Sequence, residues 1–208
     1  MGFAVCSGAL MTLDPRIVGL VAQTDLEERL RLVPPSASLR GLYFKNTLAV
    51  LRSAALLPQY QEYYPETYSA VRFYPMADFL ERAAVAAALL RGPEHIHDGL
   101  REIGRRNVLA FTESLIGRTA LRLLAPDPVT LLRQACAGRR QSCRYGRWEV
   151  TFPEPGMAIM HMFEEYLWIE SNVLGAAEGT MEAIGRIATV QVELDSKFKG
   201  RHILRWQS

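Results

Sequence analysis

The sequence predicts an α+β protein in which a helical N-terminal half packs on a small, mainly antiparallel four-stranded sheet. Three observations predict it. Apolar residues recur at helical spacing through the front half, and a period of two sets in at RWEVTF (147–152). Helices and strands thus fall in separate runs, as in α+β folds. The 208 residues, 49% of them hydrophobic, are enough for one sizeable core.

The elements follow in order. Asp14 to Leu32 holds DLEERLRL, acidic early and basic late as a helix dipole favours, and Val33-Pro34-Pro35 stops it. Residues 1–36 are expected to form an N-terminal arm or packed extension, and 37–208 a single domain. RGLYFKNTLAVLRSAALL repeats apolar residues at Phe44, Leu48, Leu51 and Ala55, a helix. QYQEYYPETY (59–68) reads as a polar loop or short turn. Pro75 and Asp78 suit the first turn of an Ala-rich helix that Gly92 closes. Pro93 opens the next helix, which runs to about Leu124, and VTLLRQACAG forms a short helix ended by Gly138. RWEVTF and MAIMHMF then read as two strands about a Pro-Gly turn. A helix with Leu174, Met181 and Ile184 follows, and TVQVELD and HILRW are two closing strands.

Composition excludes several classes. The 24 basic and 22 acidic side chains give a net charge of +2, with no push toward nucleic acid. Arg105-Arg106, Arg139-Arg140 with Arg144 and Arg147, and Lys197 to Arg205 read as solvated faces. No DNA- or RNA-binding motif accompanies them. No apolar run is long enough to span a membrane. Three cysteines fit a reducing compartment rather than a disulfide framework, so a cytoplasmic protein is expected. Nucleophile elbows, P-loops, dinucleotide fingerprints and H-E-x-x-H are all missing.

Four histidines are the remaining candidates. With roughly 100° per helical residue, Ile96, Leu100, Ile103, Asn107 and Phe111 share a face. His95 falls on the solvent side and His97 at the border, and residues two apart do not converge on one ion. His161 shares a strand face with Ile159 and Phe163, expected to be the buried one, where it reads as a core residue. Glu164, Glu165 and Glu170 stand near enough in sequence for an acid/base pair with it. His202 belongs to the basic tail and is expected to be exposed or edge-facing. Gly175, Gly179 and Ala183 make a smooth helix stripe that admits another backbone, either from the domain's own sheet or from a ligand or second subunit.

GLREIGRRNVLAFTESLIGRTALRLL, DPVTLLRQA, GRWEVTF and the final ILRW resemble the DUF2378 proteins of myxobacteria, over roughly Leu39 to Trp206. NVLGAAEGTMEAIGRIATVQVELDSKFKGRHILRW is also similar to vinyl-reductase-like domains. That resemblance implies the α/β ligand-binding fold these domains share with haem-based nitric oxide sensors (H-NOX) and small TRAPP subunits, with an apolar pocket between helices and sheet. Two departures bear on cofactors. Ser196 and Ile203 stand near the places of the zinc-binding cysteines of vinyl-reductase-like domains. Between His97 and His161 there is no histidine to act as the haem sensors' proximal ligand, and their Tyr-x-Ser-x-Arg motif is absent.

The expectation is therefore a non-enzymatic small-molecule or lipid-binding sensory protein with no cofactor and no metal. Its ligand would be an apolar or aromatic small molecule or an acyl chain. Candidate lining residues are Phe44, Phe73, Phe79, Phe111, Trp148, Phe163 and Trp168, with His161 or Tyr166 as a polar handle. The alternatives are a dimeric protein-interaction adaptor, with a second copy of the chain as partner, a haem-based sensor, and a small enzyme using His161.

Overall fold

The computed structural model describes residues 13–113 and 127–207. Helices α1 (Pro15–Val21) and α2 (Leu26–Leu32) come first, then strand β1 (Ser38–Arg40), α3 (Leu42–Ser53) and α4 (Leu57–Gln61). Strand β2 (Phe73–Pro75) leads into α5 (Met76–Arg91), and a 3₁₀ turn (Pro93–His95) into α6 (Ile96–Glu113). After residue 126 come α7 (Pro128–Ser142), β3 (Arg147–Thr151) and β4 (Met157–Phe163). A π-turn (Ile169–Val173), α8 (Leu174–Glu182), β5 (Ala188–Ser196) and β6 (Lys199–Trp206) complete the described chain.

The four-stranded sheet runs β3-β4-β6-β5, antiparallel throughout, so the α+β architecture holds. A second, two-stranded sheet pairs β1 with β2, and the periodicity gives no hint of it because each strand is only three residues long. One sheet face is buried: Ala158, Met160, Met162 and Leu204 point to the helices.

Helix ends follow local chemistry. Asp14 caps α1 by accepting from the Arg16 amide, with Pro15 at the first position. Asp127 caps α7 in the same way, accepting from Val129 and Thr130 amides. Gly138 does not end α7. The helix continues to Ser142 and stops where Cys143 turns extended and bridges to Leu39. An isolated glycine costs a helix only about 1 kcal/mol, which packing outweighs.

Two more expectations need correcting. The 59–68 stretch contains a short helix and sinks Tyr60 and Tyr64 into the core. Asp14 to Leu32 is two helices, and Ile17, Val21, Leu26 and Leu30 belong to the same buried cluster as α5. The portion of the expected α6 helix beyond Glu113 lies outside the described residues.

The helical layer is closed at backbone contact. A Cβ on Gly104 would stand 1.9 Å from the Asn172 carbonyl oxygen, and one on Gly175 would stand 1.8 Å from that of Arg101. The stripe of Gly175 and Gly179 therefore meets α6 of its own chain, not the sheet and not a free surface. No larger residue could sit there without separating α6 from α8.

Candidate functional site

The loop from Phe163 to Trp168, leading from β4 to the π-turn, gathers most of the buried charge among the described residues. Two arginines hold it, one from α7 and one from α2. From α7, Arg139 places its Nη2 2.5 Å from Glu165 Oε2, and both side chains are buried. The Glu165 carboxylate also accepts from Trp148 Nε1 (2.7 Å), the Leu167 amide (3.0 Å) and the Tyr145 hydroxyl (3.3 Å). The Arg139 guanidinium lies between rings, 4.3 Å from the centroid of Tyr145 and 5.0 Å from that of Trp148.

From α2, Arg29 is 2% exposed and donates to the Tyr166 and Leu167 carbonyls. Its Nε donates to Asp25, which also accepts from Trp168 Nε1 and pairs with Lys197. Trp168 and Phe198 stack against this guanidinium, 5.0 Å and 5.3 Å away. Each clamp pairs a cation with a carboxylate and aromatic faces, which offsets the desolvation that burial imposes.

The electrostatics agree. Burial alone would lower the Arg139 pKa, but the paired Glu165 carboxylate holds it well above the ordinary value. Burial pushes the Tyr145 phenol and the Cys143 thiol up. Burial would also raise Asp25, yet its bonds from Lys197 and Arg29 bring its carboxyl below the usual range.

Beside this loop opens a groove of about 480 Å³, lined by Gly146, Arg147, Phe163, Glu164, Ser196, Phe198 and Lys199. Glu164 occupies left-handed backbone, φ 52°, a conformation that costs a non-glycine residue on the order of 1 kcal/mol. Gly146 backs onto it: a Cβ there would stand 2.5 Å from the carbonyl oxygens of both Phe163 and Glu164. The next residue is tethered, since the Glu165 amide donates to the Phe198 carbonyl at 2.9 Å.

The candidate lining residues do not share one cavity. Phe163 borders the groove, with Trp148, Tyr166 and Trp168 in the clamps behind it. Phe44 and Phe79 pack with Tyr43, Tyr68 and Tyr74 in an aromatic core between α3 and α5. Phe73 lies apart, with Arg144 3.9 Å above its ring. Phe111 falls in α6, and its side chain lies outside the described residues.

His161 is corrected to the outer face. The inner positions of β4 are Ala158, Met160 and Met162, so His161 sits in the opposite row, across from Glu149 and Arg201. Among the described residues no carboxylate hydrogen-bonds to it. Of Glu164, Glu165 and Glu170, the carboxylates expected within its reach, Glu165 is turned inward and held by Arg139, and Glu170 lies near Arg29.

His202 is also corrected. It is fully buried on the inner face of β6, with Nε2 against the Ile169 carbonyl at 2.9 Å, and burial pushes its pKa down to about 4. His95 is exposed near Asp98, and His97 reaches Ser171 Oγ at 3.3 Å. Sequence reasoning took Arg139 for part of a solvated cluster and gave Arg29 no role. Yet Leu132, Cys136 and Arg139 share a helix face, as do Leu26, Arg29 and Leu30.

A family model described as a protein of unknown function (DUF2378) matches residues 32–207. Among solved structures, the Fe(II) unliganded H-NOX protein from K. algicida is similar at TM-score 0.64 and 14% identity, covering 82% of this chain and 97% of that one. The S. oneidensis H-NOX protein in the Fe(II)NO state gives 0.62 at 11% identity, over 82% and 100%. An oxygen-binding H-NOX domain related to soluble guanylate cyclases gives 0.60 at 15%, over 81% and 93%. No curated protein matches. At these identities the likeness establishes the fold alone.

Haem does not fit the residues described. His202 is flanked in register by Met160 and Val192 and holds Ile169 with its Nε2. The groove beside Glu164 and a second hollow, along α6 by Arg101 and Glu178, are both without a bordering histidine or cysteine. Residues 114–126 contain no histidine, cysteine, methionine or tyrosine that could serve as an axial ligand. Among the described residues no three His, Cys, Asp or Glu side chains gather as metal ligands do, and no helix is long and apolar enough to cross a membrane.

Proposed function

The chain belongs to the DUF2378 family and has the H-NOX fold, and from that premise we propose that it is a non-enzymatic, cytoplasmic sensory protein. It takes a small molecule into the groove beside Glu164, and it works without haem. One observation carries this reading. The groove's wall is the strained end of a loop whose next residues are gripped by Arg139 and Arg29.

A ligand that moves Glu164 therefore acts on α7 through Glu165 and on α2 through Tyr166 and Leu167. Strain held in place by a surrounding network is a common mark of ligand sites and switches. Phe163 and Phe198 supply apolar contact, and the volume is within the range of small-molecule sites. The expected ligand, an apolar or aromatic small molecule or acyl chain, is thereby narrowed to one that fits an open, half-polar groove. Residues 37–208 are the binding unit, with 1–36 supplying the α2 clamp.

The test is thermal unfolding of the full chain against a panel of neutral, anionic, cationic and zwitterionic small molecules. A saturable rise in Tm is expected from at least one of them, and Phe163→Ala should abolish it. No rise from any compound, or an equal rise in Phe163→Ala, contradicts the reading. Haem reconstitution is expected to leave the protein without a Soret band.

A dimeric adaptor is the second reading, and the outer sheet face favours it. Ile159 and Ile203 pair there across β4 and β6, half-buried and outside both core clusters. Sedimentation as a monomer at micromolar concentration counts against it.

A further inference from the structure

We infer that the ligand of the Glu164 groove is a small zwitterion carrying an aromatic or branched apolar body, the chemistry of a free amino acid. This rests on the groove being the ligand site. It follows from how charge is arranged around the two rings.

Arg147, Phe163 and Lys199 are cross-strand neighbours in one row of the outer sheet face. The two cations thus flank Phe163, the Arg147 guanidinium 4.3 Å and the Lys199 ammonium 5.8 Å from its centroid. Both are paired to surface carboxylates, Arg147 to Glu149 and Lys199 to Asp195, in well-exposed contacts. Exposed pairs of this kind hold weakly, so either cation can turn to an incoming anion.

Glu164 differs from those acids. Its carboxylate has no hydrogen-bond or ion-pair partner among the described residues, although it lines the groove. Its backbone is fixed by Gly146 on one side and by the tethered Glu165 on the other. The groove therefore offers two cations that can be recruited and one exposed carboxylate that no side chain of the described residues pairs.

A purely anionic ligand would meet the Glu164 carboxylate, and a purely cationic one would meet Arg147 and Lys199. A neutral acyl chain would leave Arg147 and Lys199 in their surface pairs and the Glu164 carboxylate without a partner, so it would draw on none of the groove's charges. A molecule bearing both a carboxylate and an ammonium satisfies both signs. Its side chain then lies on Phe163 and Phe198.

Calorimetric titration of the full chain with L-phenylalanine, L-leucine, 3-phenylpropionate and 2-phenylethylamine tests this. At least one amino acid should bind saturably and at least 10-fold more tightly than either singly charged compound. Glu164→Gln should weaken that amino acid by about 10-fold and bring it level with 3-phenylpropionate. The double variant Arg147→Gln/Lys199→Gln should bring L-phenylalanine level with 2-phenylethylamine. Equal affinity for a singly charged analogue, an unchanged affinity in Glu164→Gln, or no binding by either amino acid overturns the zwitterion assignment. The groove itself is judged separately, by whether the broader panel raises Tm in a Phe163-dependent way.

Discussion

Where α6 meets α5, the π-turn and α8, the chain closes on backbone atoms: Gly99 lies against Ala87, Gly104 against Asn172 and Gly175 against Arg101. Around the loop Phe163–Trp168 it does the opposite, burying Arg29, Arg139 and Glu165 among aromatic rings. The first region has one arrangement, because any added atom collides with main chain. The second is held by directional bonds that can be exchanged for others and ends in strained backbone at Glu164. A fold that must respond to a small molecule can spare no movement in the first region and needs it in the second. On the proposed reading, the glycine seam is the frame and the clamped loop is the part that a ligand addresses.

The largest test of that contrast is Glu165→Ala. It leaves Arg139, the Trp148 indole and the Leu167 amide without their acceptor, so a loss of about 3–5 kcal/mol is expected in urea unfolding. Arg139→Met with Glu165→Met should recover a good part of it, because the uncompensated charge is gone. A double variant as unstable as Glu165→Ala would show that the clamp is not an ion pair in substance.

Gly175→Ala comes next, at about 3 kcal/mol, because its Cβ would collide with the Arg101 carbonyl rather than with a flexible side chain. A change under about 0.5 kcal/mol would mean that the seam can open, and the frame would lose its meaning.

His202 gives a pH test of similar size. Its folded pKa of about 4 lies below the ordinary 6.5, so the unfolded chain binds the extra proton first. The stability tied to its neutral form is complete above about pH 6.5 and falls away as pH drops toward 4. The loss amounts to about 3 kcal/mol. His202→Gln, which keeps a donor for the Ile169 carbonyl, should flatten that part of the stability profile.

The smallest effect is expected at Glu164. Glu164→Gly should stabilise by about 1 kcal/mol, since glycine takes left-handed backbone without strain. Destabilisation there would mean that the residue is kept for structure, not for a ligand.

Much of the fold was legible because its main signals are local. The Pro-Gly turn before MAIMHMF and the alternation in HILRW marked β4 and β6, and Pro-Gly punctuation bounded α5. Periodicity could not say which face of β4 is buried, since apolar residues occupy both faces. Met160 and Met162 took the helix side, and His161 and Phe163 were left outside. The glycine stripe announced a close backbone approach, but its partner α6 is about 75 residues away in sequence, a tertiary matter that pattern alone does not reach.

The site was less legible than the fold. Its aromatic members stood out as large apolar residues, whereas Arg139 and Arg29 looked like ordinary surface cations. Only their positions on the apolar faces of α7 and α2 betrayed them. Glu164 stood out in the sequence only as a carboxylate near His161, because its left-handed backbone depends on Gly146 and Phe198 from other parts of the chain.

The most direct test of the frame-and-loop account is a backbone amide NMR titration of ¹⁵N-labelled protein with a mixed set of aromatic acids, amines and zwitterions. Saturable shifts should concentrate at Gly146, Phe163 to Trp168 and Ser196 to Lys199, and spread to Arg29 and Arg139, while Ala84 to Ala88 and Gly99 to Arg105 stay fixed. Shifts centred on the glycine seam, with the loop unmoved, would contradict it.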